Sequence, residues 1–213
     1  MTPGNDKALD HTRSRYDFIA PLYNLMEWPI ERLFFRRWRK ILWERVEGPR
    51  VLEIGIGTGK NIPYYPEGVE VTGIDISSGM LSRAEKMVRK RDIEHLSLKR
   101  MDAQDMDFDS HTFDQVAATF AFCSIPDPVR GLEEAMRVTR PGGRLYLLEH
   151  MISKNPTIAR MMKFLDKPFH YLSGVHIARD TVQNVKTAGW ESVEVKDLVQ
   201  NGIVRFITGR KRS

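Results

Sequence analysis

Short runs rich in β-forming residues alternate with helical runs from Val51 to His150, and this alternation constrains the fold more than any other feature of the sequence. The strands are predicted at 51–54, 70–75, 96–100, 113–119 and 144–149. Helices are predicted near 59–64 and at 78–91 and 128–139. Such alternation is typical of a parallel sheet whose strands are joined by crossover helices. We therefore predict an α/β fold for this part of the chain.

Helical and β-hairpin patterns flank this region. Before it, helices are predicted at 15–27 and 29–46, the second with Pro29 at a favoured first position. After it, "SVEVKDLVQNGIVRFITGRK" has the pattern of two strands that meet at the turn signal Asn201-Gly202. The last strand should therefore run antiparallel to its neighbour. The segment 151–180 precedes this hairpin and contains the amphipathic run "PTIARMMKFLDKPFHYL".

The length and composition suit a single soluble domain in a reducing compartment. A chain of 213 residues can form one core, and its longest uncharged stretch, 115–126, is too short to cross a bilayer. The one cysteine, Cys123, excludes an intramolecular disulfide, and the N-terminal sequence has no apolar secretion core. We therefore expect a cytoplasmic protein. The net charge of +5 is compatible with an anionic partner or with a merely solvated basic surface.

Three alternating glycines follow the first strand in "VLEIGIGTGKN". A dinucleotide-type G-x-G-x-x-G loop would need glycine where the chain has Lys60. In doubly wound sheets, ligands lie outside the carboxyl ends of the strands, and glycines let the backbone approach them closely. We therefore expect Gly55 and Gly57 to contact a ligand without forming a phosphate loop of the dinucleotide type.

Acidic residues follow the next two strands. Asp75 ends "VEVTGID", where a carboxylate can accept hydrogen bonds from the two hydroxyl groups of a ribose. The alternative is a cap for the helix that begins in "SSGML", which Ser77 or Ser78 could supply instead. In "KRMDAQDMDF", Asp102 and Ala103 either flank an adenine or belong to an ordinary polar loop.

The glycines, Asp75, Asp102 and "RVTRPGGRLYL" together resemble the class I S-adenosylmethionine-dependent methyltransferases over 51–150. The resemblance implies a Rossmann-like sheet of seven mostly parallel strands, with the last strand antiparallel and helices on both faces. It also implies S-adenosyl-L-methionine as cofactor and S-adenosyl-L-homocysteine as product. The implied contacts are Glu53, Gly55 and Gly57 with the methionine portion, Asp75 with the ribose, Asp102 and Ala103 with the adenine, and Tyr16 with the cofactor carboxylate.

On this basis we divide one predicted methyltransferase domain, 1–213, into four parts. They are a helical cap at 1–48, a cofactor-binding core at 49–150, an acceptor-side insertion at 151–180, and a C-terminal helix with a strand hairpin at 181–213. The segment Pro141-Gly142-Gly143 is expected to form the turn before the fifth strand.

Two longer segments resemble one branch of the family. "RYDFIAPLYNLMEW" and "FCSIPDPVRGLEEAMRVTRPGGRLYLLEH" are similar to quinone-ring C-methyltransferases and bacterial phospholipid N-methyltransferases, and mammalian thiol methyltransferases share the second pattern. The resemblance implies an amphiphilic acceptor. Our first hypothesis is N-methylation of phosphatidylethanolamine, followed by quinone-ring C-methylation and thiol S-methylation. A membrane-associated module that binds the cofactor without transferring methyl groups is the alternative from another class, and no nucleic-acid partner is expected.

Two amphipathic segments suit an amphiphilic acceptor. In "PIERLFFRRWRKILWERV", apolar residues recur at helical spacing beside basic ones: Ile30, Leu33, Phe34, Trp38, Ile41 and Leu42. The insertion has a second apolar set: Ile158, Met161, Met162, Leu165 and Phe169. Such helices either lie on an anionic membrane surface or pack on the sheet, and packing is the more common case. Peripheral contact with the inner face of the membrane is therefore left open.

The candidates for chemistry on the acceptor are Tyr23 and His150. His150 ends "RLYLLEH" and would accept a proton or orient a head group, whereas Tyr23 would face the acceptor. The insertion residues His170, His176 and Arg179 are lower-ranked candidates for head-group binding. Their spacing does not suit a metal site, so no metal is predicted, and Cys123 is interpreted as a small buried residue.

Overall fold

A computed structural model describes residues 3–213, with side chains for all of these except 3–8, 26, 27, 30 and 172. Its centre is a seven-stranded sheet with the strand order β3-β2-β1-β4-β5-β7-β6. The strands are β1 (Arg50–Ile54), β2 (Glu70–Asp75), β3 (Leu96–Arg100), β4 (Phe113–Thr119), β5 (Thr139–His150), β6 (Glu191–Asp197) and β7 (Val204–Arg210).

Helices occupy both sequence flanks and most of the connections. They are α1 (Pro3–Ile30), α2 (Arg36–Trp43), α3 (Ser78–Arg91), α4 (Pro128–Val138), α5 (Pro156–Ser173) and α6 (Thr181–Thr187). A π-helical segment, Glu31–Phe35, joins α1 to α2, and 3-10 turns lie at Ile62–Tyr64 and Gln200–Gly202.

The pairing of the strands confirms the predicted α/β class and the antiparallel last strand. β1 pairs in parallel with β2 and β4, and β4 pairs in parallel with β5. β7 pairs antiparallel with both β5 and β6. The connection between β6 and β7 contains Asn201 and Gly202 at φ 63° and 65°, the left-handed conformation expected of an Asn-Gly turn.

Side chains that alternate along the strands form an apolar core on each face of the sheet. Val116 and Leu147 point into one core, which also contains Leu132 of α4 and Val185 of α6. The neighbouring residues Ala117 and Leu148 belong to the other core, with Trp38 and Trp43 of α2. The ends of the central strands are therefore held rigidly where the connecting loops emerge.

Three local predictions were wrong. The chain is helical from residue 3, and Pro29 lies inside α1 rather than at the start of a helix; the residues after it are wound as a π-helix. Only the 3-10 turn Ile62–Tyr64 forms in the predicted helix near 59–64, since Gly57 and Gly59 adopt the left-handed conformation. Pro141-Gly142-Gly143 lies within β5, at a shift in the pairing with β4 from Phe113–Thr139 to Gln115–Arg144, rather than in a turn before the strand.

The amphipathic segments divide into a packed part and an exposed part. Trp38 and Leu42 of α2 are buried, whereas Leu33 and Phe34 of the π-helical segment are exposed. In α5, Met162 is buried, but Met161, Phe164 and Phe169 are exposed. Ile30, which the sequence interpretation included in the apolar face, lies outside the described side chains. Among residues 3–213, no helix has both the length and the apolar character needed to span a membrane.

Candidate cofactor and acceptor site

A cleft of about 740 Å³, open to solvent, lies at the carboxyl ends of the parallel strands. The loops after β1 to β4 form its base, and α1 lies across it. Most of the residues predicted to contact the cofactor or acceptor line this cleft: Tyr16, Tyr23, Gly55, Gly57, Asp75, Asp102 and Ala103. Glu53 and His150 are not among its lining residues. The roles assigned to all nine residues stay predictions.

The glycine loop needs glycine for two different reasons. Gly55 and Gly57 have φ values of 70° and 57°, which side-chain-bearing residues rarely adopt. A Cβ atom on Gly55 would also lie 2.5 Å from the Cβ of Ala121, so this position has no room for one. A Cβ on Gly57 would come no closer than 4.0 Å to the Gly55 oxygen. The open space beside Gly57 belongs to the cleft, where a ligand can approach the backbone.

Asp75 joins two elements at the base of the cleft. Its two carboxylate oxygens accept hydrogen bonds from the backbone N–H groups of Gly57 and Ser77, both at 2.9 Å. Burial raises its pKa to about 6, although these hydrogen bonds oppose the rise. The cap of α3 is Ser77, whose hydroxyl accepts from the N–H of Met80 at 3.1 Å. The capping alternative for Asp75 is therefore not needed, and its carboxylate stays available to the cleft.

Polar contacts hold α1 across the cleft. Asp17 accepts from the Ser77 hydroxyl at 2.6 Å and from the Gly79 N–H at 2.8 Å. Burial opposes ionisation of Asp17, but hydrogen bonds from Ser77, Gly79 and Ser78 bring its pKa below the ordinary value. The sequence interpretation missed Asp17, although the quoted "RYD" contains it. Its carboxylate at the start of α3 is also well placed against the helix dipole.

Two further contacts link α1 to loops of the cleft. The Thr58 hydroxyl donates to Asn24 Oδ1 at 2.7 Å. The hydroxyl groups of Tyr16 and Ser124 share a hydrogen bond of 2.6 Å. Because Thr58 follows β1 and Ser124 follows β4, α1 is attached to both sides of the cleft.

Glu53 lies behind the glycine loop in a buried polar network. It is fully buried and accepts from Asn61 Nδ2 at 2.5 Å and from the Tyr65 hydroxyl. Arg39 donates to Asn61 Oδ1 at 2.9 Å and to Glu31 Oε1 at 3.1 Å. These contacts connect β1 to the π-helical segment and α2, so the position of Glu53 favours a role in holding the loop.

Asp102 and Ala103 lie where β3 leads toward β4. Asp102 accepts from the backbone N–H of Gln104 at 2.9 Å and from its side-chain amide. Gln104 in turn accepts from the N–H of Asp127, the N-cap residue of α4, at 2.8 Å. The loop that contains Asp102 and Ala103 is therefore braced against the start of α4.

The two candidates for chemistry differ in their positions. Tyr23 lines the cleft, and the Lys60 ammonium lies 5.2 Å from the centre of its ring. His150 lies outside the lining, and its Nδ1 is buried without a hydrogen-bond partner among the described residues. Burial lowers the pKa of His150.

Burial also raises the pKa of Cys123 to about 12, so this thiol stays protonated and fits its interpretation as a small buried residue.

The lower-ranked insertion residues lie together beside the cleft. The rings of His170 and His176 stack with their centres 3.9 Å apart. His176 Nδ1 lies 2.8 Å from Asp166 Oδ2. The backbone N–H of His176 donates to the Cys123 carbonyl at 2.9 Å. Arg179 donates to the carbonyls of Phe122 and Ile125, so its guanidinium is used to hold the loop after β4.

The model of the family described as "Methyltransferase domain" matches residues 52–147. A phosphatidylethanolamine N-methyltransferase of Cereibacter sphaeroides is 35% identical over 78% of this chain and 81% of its own length. A demethylmenaquinone methyltransferase of Paenarthrobacter aurescens is 33% identical over 68% of this chain but only 56% of its own length. A solved S-adenosylmethionine-dependent methyltransferase of Thermotoga maritima superposes with a TM-score of 0.70 at 19% identity, over 91% of this chain and 98% of that one.

We predict that Asp75→Ala weakens binding of S-adenosylmethionine by about tenfold to a hundredfold, because the cleft loses a charged hydrogen-bond acceptor. Isothermal titration calorimetry measures the affinity directly. Asp107→Ala is the matched control, since Asp107 is exposed on the loop after β3 and does not line the cleft. Equal affinities for the two variants would contradict the assignment of Asp75.

A second prediction concerns Glu53 and pH. Burial raises the pKa of Glu53 from 4.5 to about 7, against hydrogen bonds from Tyr65 and Asn61 that lower it. Its contribution to stability is therefore present below its unfolded pKa and lost as the pH rises through about 7. The free energy of unfolding of Glu53→Gln, relative to wild type, should increase by roughly 1–3 kcal/mol between about pH 5 and pH 8.

Urea titrations at several pH values measure this difference. Glu85→Gln on α3 is the control, because the Glu85 side chain is half exposed. A difference between Glu53→Gln and wild type that stays constant with pH would disprove the buried, proton-binding state of Glu53.

Proposed function

The chain belongs to the class I S-adenosylmethionine-dependent methyltransferases, and within this family we propose that it N-methylates the amine head group of a phospholipid. Phosphatidylethanolamine is the first candidate acceptor. The observation that carries the proposal is the row of large apolar side chains exposed around the cleft, and the similarity to the phosphatidylethanolamine enzyme supports it.

S-Adenosylmethionine is the methyl donor of this protein. The cleft fits such a nucleoside, since it has a partly buried carboxylate at Asp75, a backbone open to close approach at Gly57 and a mainly apolar lining. When bound, the cofactor supplies an electrophilic methyl group on a sulfonium. We assign Asp75 to the ribose, Asp102 and Ala103 to the adenine, and Gly55, Gly57 and Tyr16 to the methionine portion. Glu53 and Asn61 would hold the glycine loop in place.

The protein has two tasks toward an amine acceptor. It must hold the nitrogen in line with the methyl group, and it must let the nitrogen lose a proton so that its lone pair is free. Tyr23 is the first candidate to position the amine, because it lines the cleft. His150 lies outside the lining and would act only through a neighbouring group. In-line positioning is therefore the main contribution that we assign to the protein.

The exposed apolar side chains favour an amphiphilic acceptor. On α1, Phe18 is 85% exposed and Leu25 is 73% exposed; on α5, Phe164 is 81% exposed. Soluble proteins rarely leave so many large apolar groups in water unless the surface binds something. α1 lines the cleft, and α5 contacts α1 where Arg15 donates to the His170 carbonyl. Basic residues accompany the exposed apolar groups: Arg32, Arg36, Arg37 and Lys40 near α1, and Arg160, Lys163 and Lys167 on α5. We propose that this surface contacts an anionic membrane on its cytoplasmic side.

Quinone-ring C-methylation is the second candidate, supported by the 33% identity to the demethylmenaquinone enzyme. Attack of a ring carbon on the methyl group would require an ionised ring hydroxyl and therefore a base close to the acceptor. Thiol S-methylation ranks third. The alternative that is not an enzyme is a module that binds the cofactor without transferring methyl groups.

Transfer of a radiolabelled methyl group to phosphatidylethanolamine, demethylmenaquinone and a small thiol, measured side by side, tests the acceptor. We expect label in the phospholipid fraction, and loss of that label in Asp75→Ala at limiting cofactor. Label in the quinone alone would replace the first candidate with the second. No label in any acceptor, together with tight cofactor binding, would favour the non-catalytic module.

Flotation with liposomes tests the membrane contact. Replacing Phe18 and Phe164 with serine should lower the bound fraction at least about tenfold on anionic vesicles, since two large apolar groups no longer enter the interface. Val195→Ser is the control, because Val195 is an exposed apolar residue of β6, outside the cleft lining. Equal binding of the double variant and the control would contradict the proposed surface.

A further inference from the structure

Four basic or imidazole side chains meet where α1 passes α5, and we call them the rim cluster: His11, Arg15, His170 and His176. Arg15 Nη1 donates to the His170 carbonyl at 2.9 Å, and Arg15 Nη2 lies 3.3 Å from His11 Nε2. The His170 ring stacks on His176 with an angle of 12° between their planes. The cluster therefore gathers hydrogen-bond donors from two helices and the loop that follows α5.

The rim cluster contains a hydrogen-bonding group that its own contacts do not use. His170 Nδ1 is buried and has no hydrogen-bond partner among the described residues, although such groups are normally paired. The acidic group of this region, Asp166, is occupied by His176 at 2.8 Å and by the Ala178 N–H at 2.9 Å. Burial lowers the pKa of His170, and the nearby His176, Arg179 and His11 lower it further. His170 is therefore favoured in its uncharged form, and the neighbouring Arg179, whose positive charge lowers its pKa, favours an anion at this place.

The rim cluster borders the cleft through two direct connections. Tyr16, the neighbour of Arg15 on α1, lines the cleft and bonds to Ser124. The backbone N–H of His176 donates to the backbone carbonyl of Cys123, the residue before Ser124. A group held by the cluster would therefore lie next to the cleft wall that contains Tyr16.

An apolar surface continues from the cluster along α5. The Arg15 guanidinium lies 5.9 Å from the centre of the Tyr171 ring, which is 72% exposed. Phe169 and Phe164 extend the exposed apolar surface further along the same helix. This arrangement matches an acceptor whose charged group lies at the rim cluster and whose apolar tail lies along α5.

We propose that the rim cluster binds the phosphodiester of the phospholipid acceptor, with its amine directed into the cleft. The inference rests on the proposed phospholipid function and identifies how that acceptor is held. Arginine N–H groups form charge-assisted hydrogen bonds to phosphate oxygens, and an uncharged histidine can donate one ring N–H. A two-carbon linker separates phosphate from amine in an ethanolamine head group, so a phosphate held at the rim would keep the amine close to the same wall of the cleft. Neither a quinone nor a simple thiol carries a phosphodiester for this cluster.

The test uses the full chain saturated with S-adenosylhomocysteine and two variants. Arg15→Gln removes the charge, and His170→Phe keeps an aromatic ring to stack on His176 while removing both ring nitrogens. Arg13→Gln is the matched control, because Arg13 lies on the same helix, is partly exposed and pairs with Asp10 at 2.9 Å. Cofactor affinity, measured in parallel, shows whether each variant is folded.

Calorimetry with sn-glycero-3-phosphoethanolamine reports on the head group without membrane effects. Arg15→Gln and His170→Phe should bind this probe at least about tenfold more weakly than Arg13→Gln does. Ethanolamine, which lacks the phosphate, should show no difference among the variants. The KM for phosphatidylethanolamine in mixed micelles should rise by a similar factor, with a much smaller change in kcat.

The outcomes separate this inference from the proposed function. If phosphatidylethanolamine is methylated with the same KM by both variants and the control, the rim cluster is not the phosphate site, although the function stands. If wild type does not methylate phosphatidylethanolamine but still binds the probe through Arg15 and His170, the anion site stands and the acceptor is wrong. Inorganic phosphate that binds as tightly as the probe would overturn the lipid assignment in favour of a free-phosphate site.

Discussion

A partly buried carboxylate organises the base of the cleft. Asp75 accepts one hydrogen bond from the glycine loop after β1 and one from the first turn leading into α3. A buried carboxylate is stable only when such partners compensate for its lost hydration. The loop that approaches the ligand and the helix that follows β2 are therefore positioned by the same side chain that we assign to the ribose.

The helix α1 completes the site because it is attached to that centre. Asp17 bonds to Ser77, which itself follows Asp75, and Asn24 and Tyr16 attach α1 to loops after β1 and β4. The inner side of α1 thus faces the cleft, while Phe18 and Leu25 remain exposed on its outer side. One element therefore contributes both to the cleft and to the surface that we propose for lipid.

Local sequence patterns were sufficient for the sheet and for much of the cleft. The strands 70–75, 96–100 and 113–119 and the helix 78–91 have their predicted bounds, because period and turn residues are local signals. Gly55, Gly57 and Asp75 were found because loops at strand ends converge in this topology. Asp17 was missed, since its partners Ser77 and Gly79 lie sixty or more positions away, and no local pattern indicates such a long-range contact. His150 ends its strand as expected but does not line the cleft.

The attachment of α1 also has a kinetic consequence. A ligand that fills the cleft must pass beside α1, or α1 must release its contacts with Ser77, Thr58 and Ser124. If the second route is the one used, the residence time of the nucleoside depends on how often this helix moves. If the outer side of α1 rests on lipid, the same movement becomes slower, and exchange of spent cofactor for fresh cofactor is coupled to the time that the protein spends on the membrane.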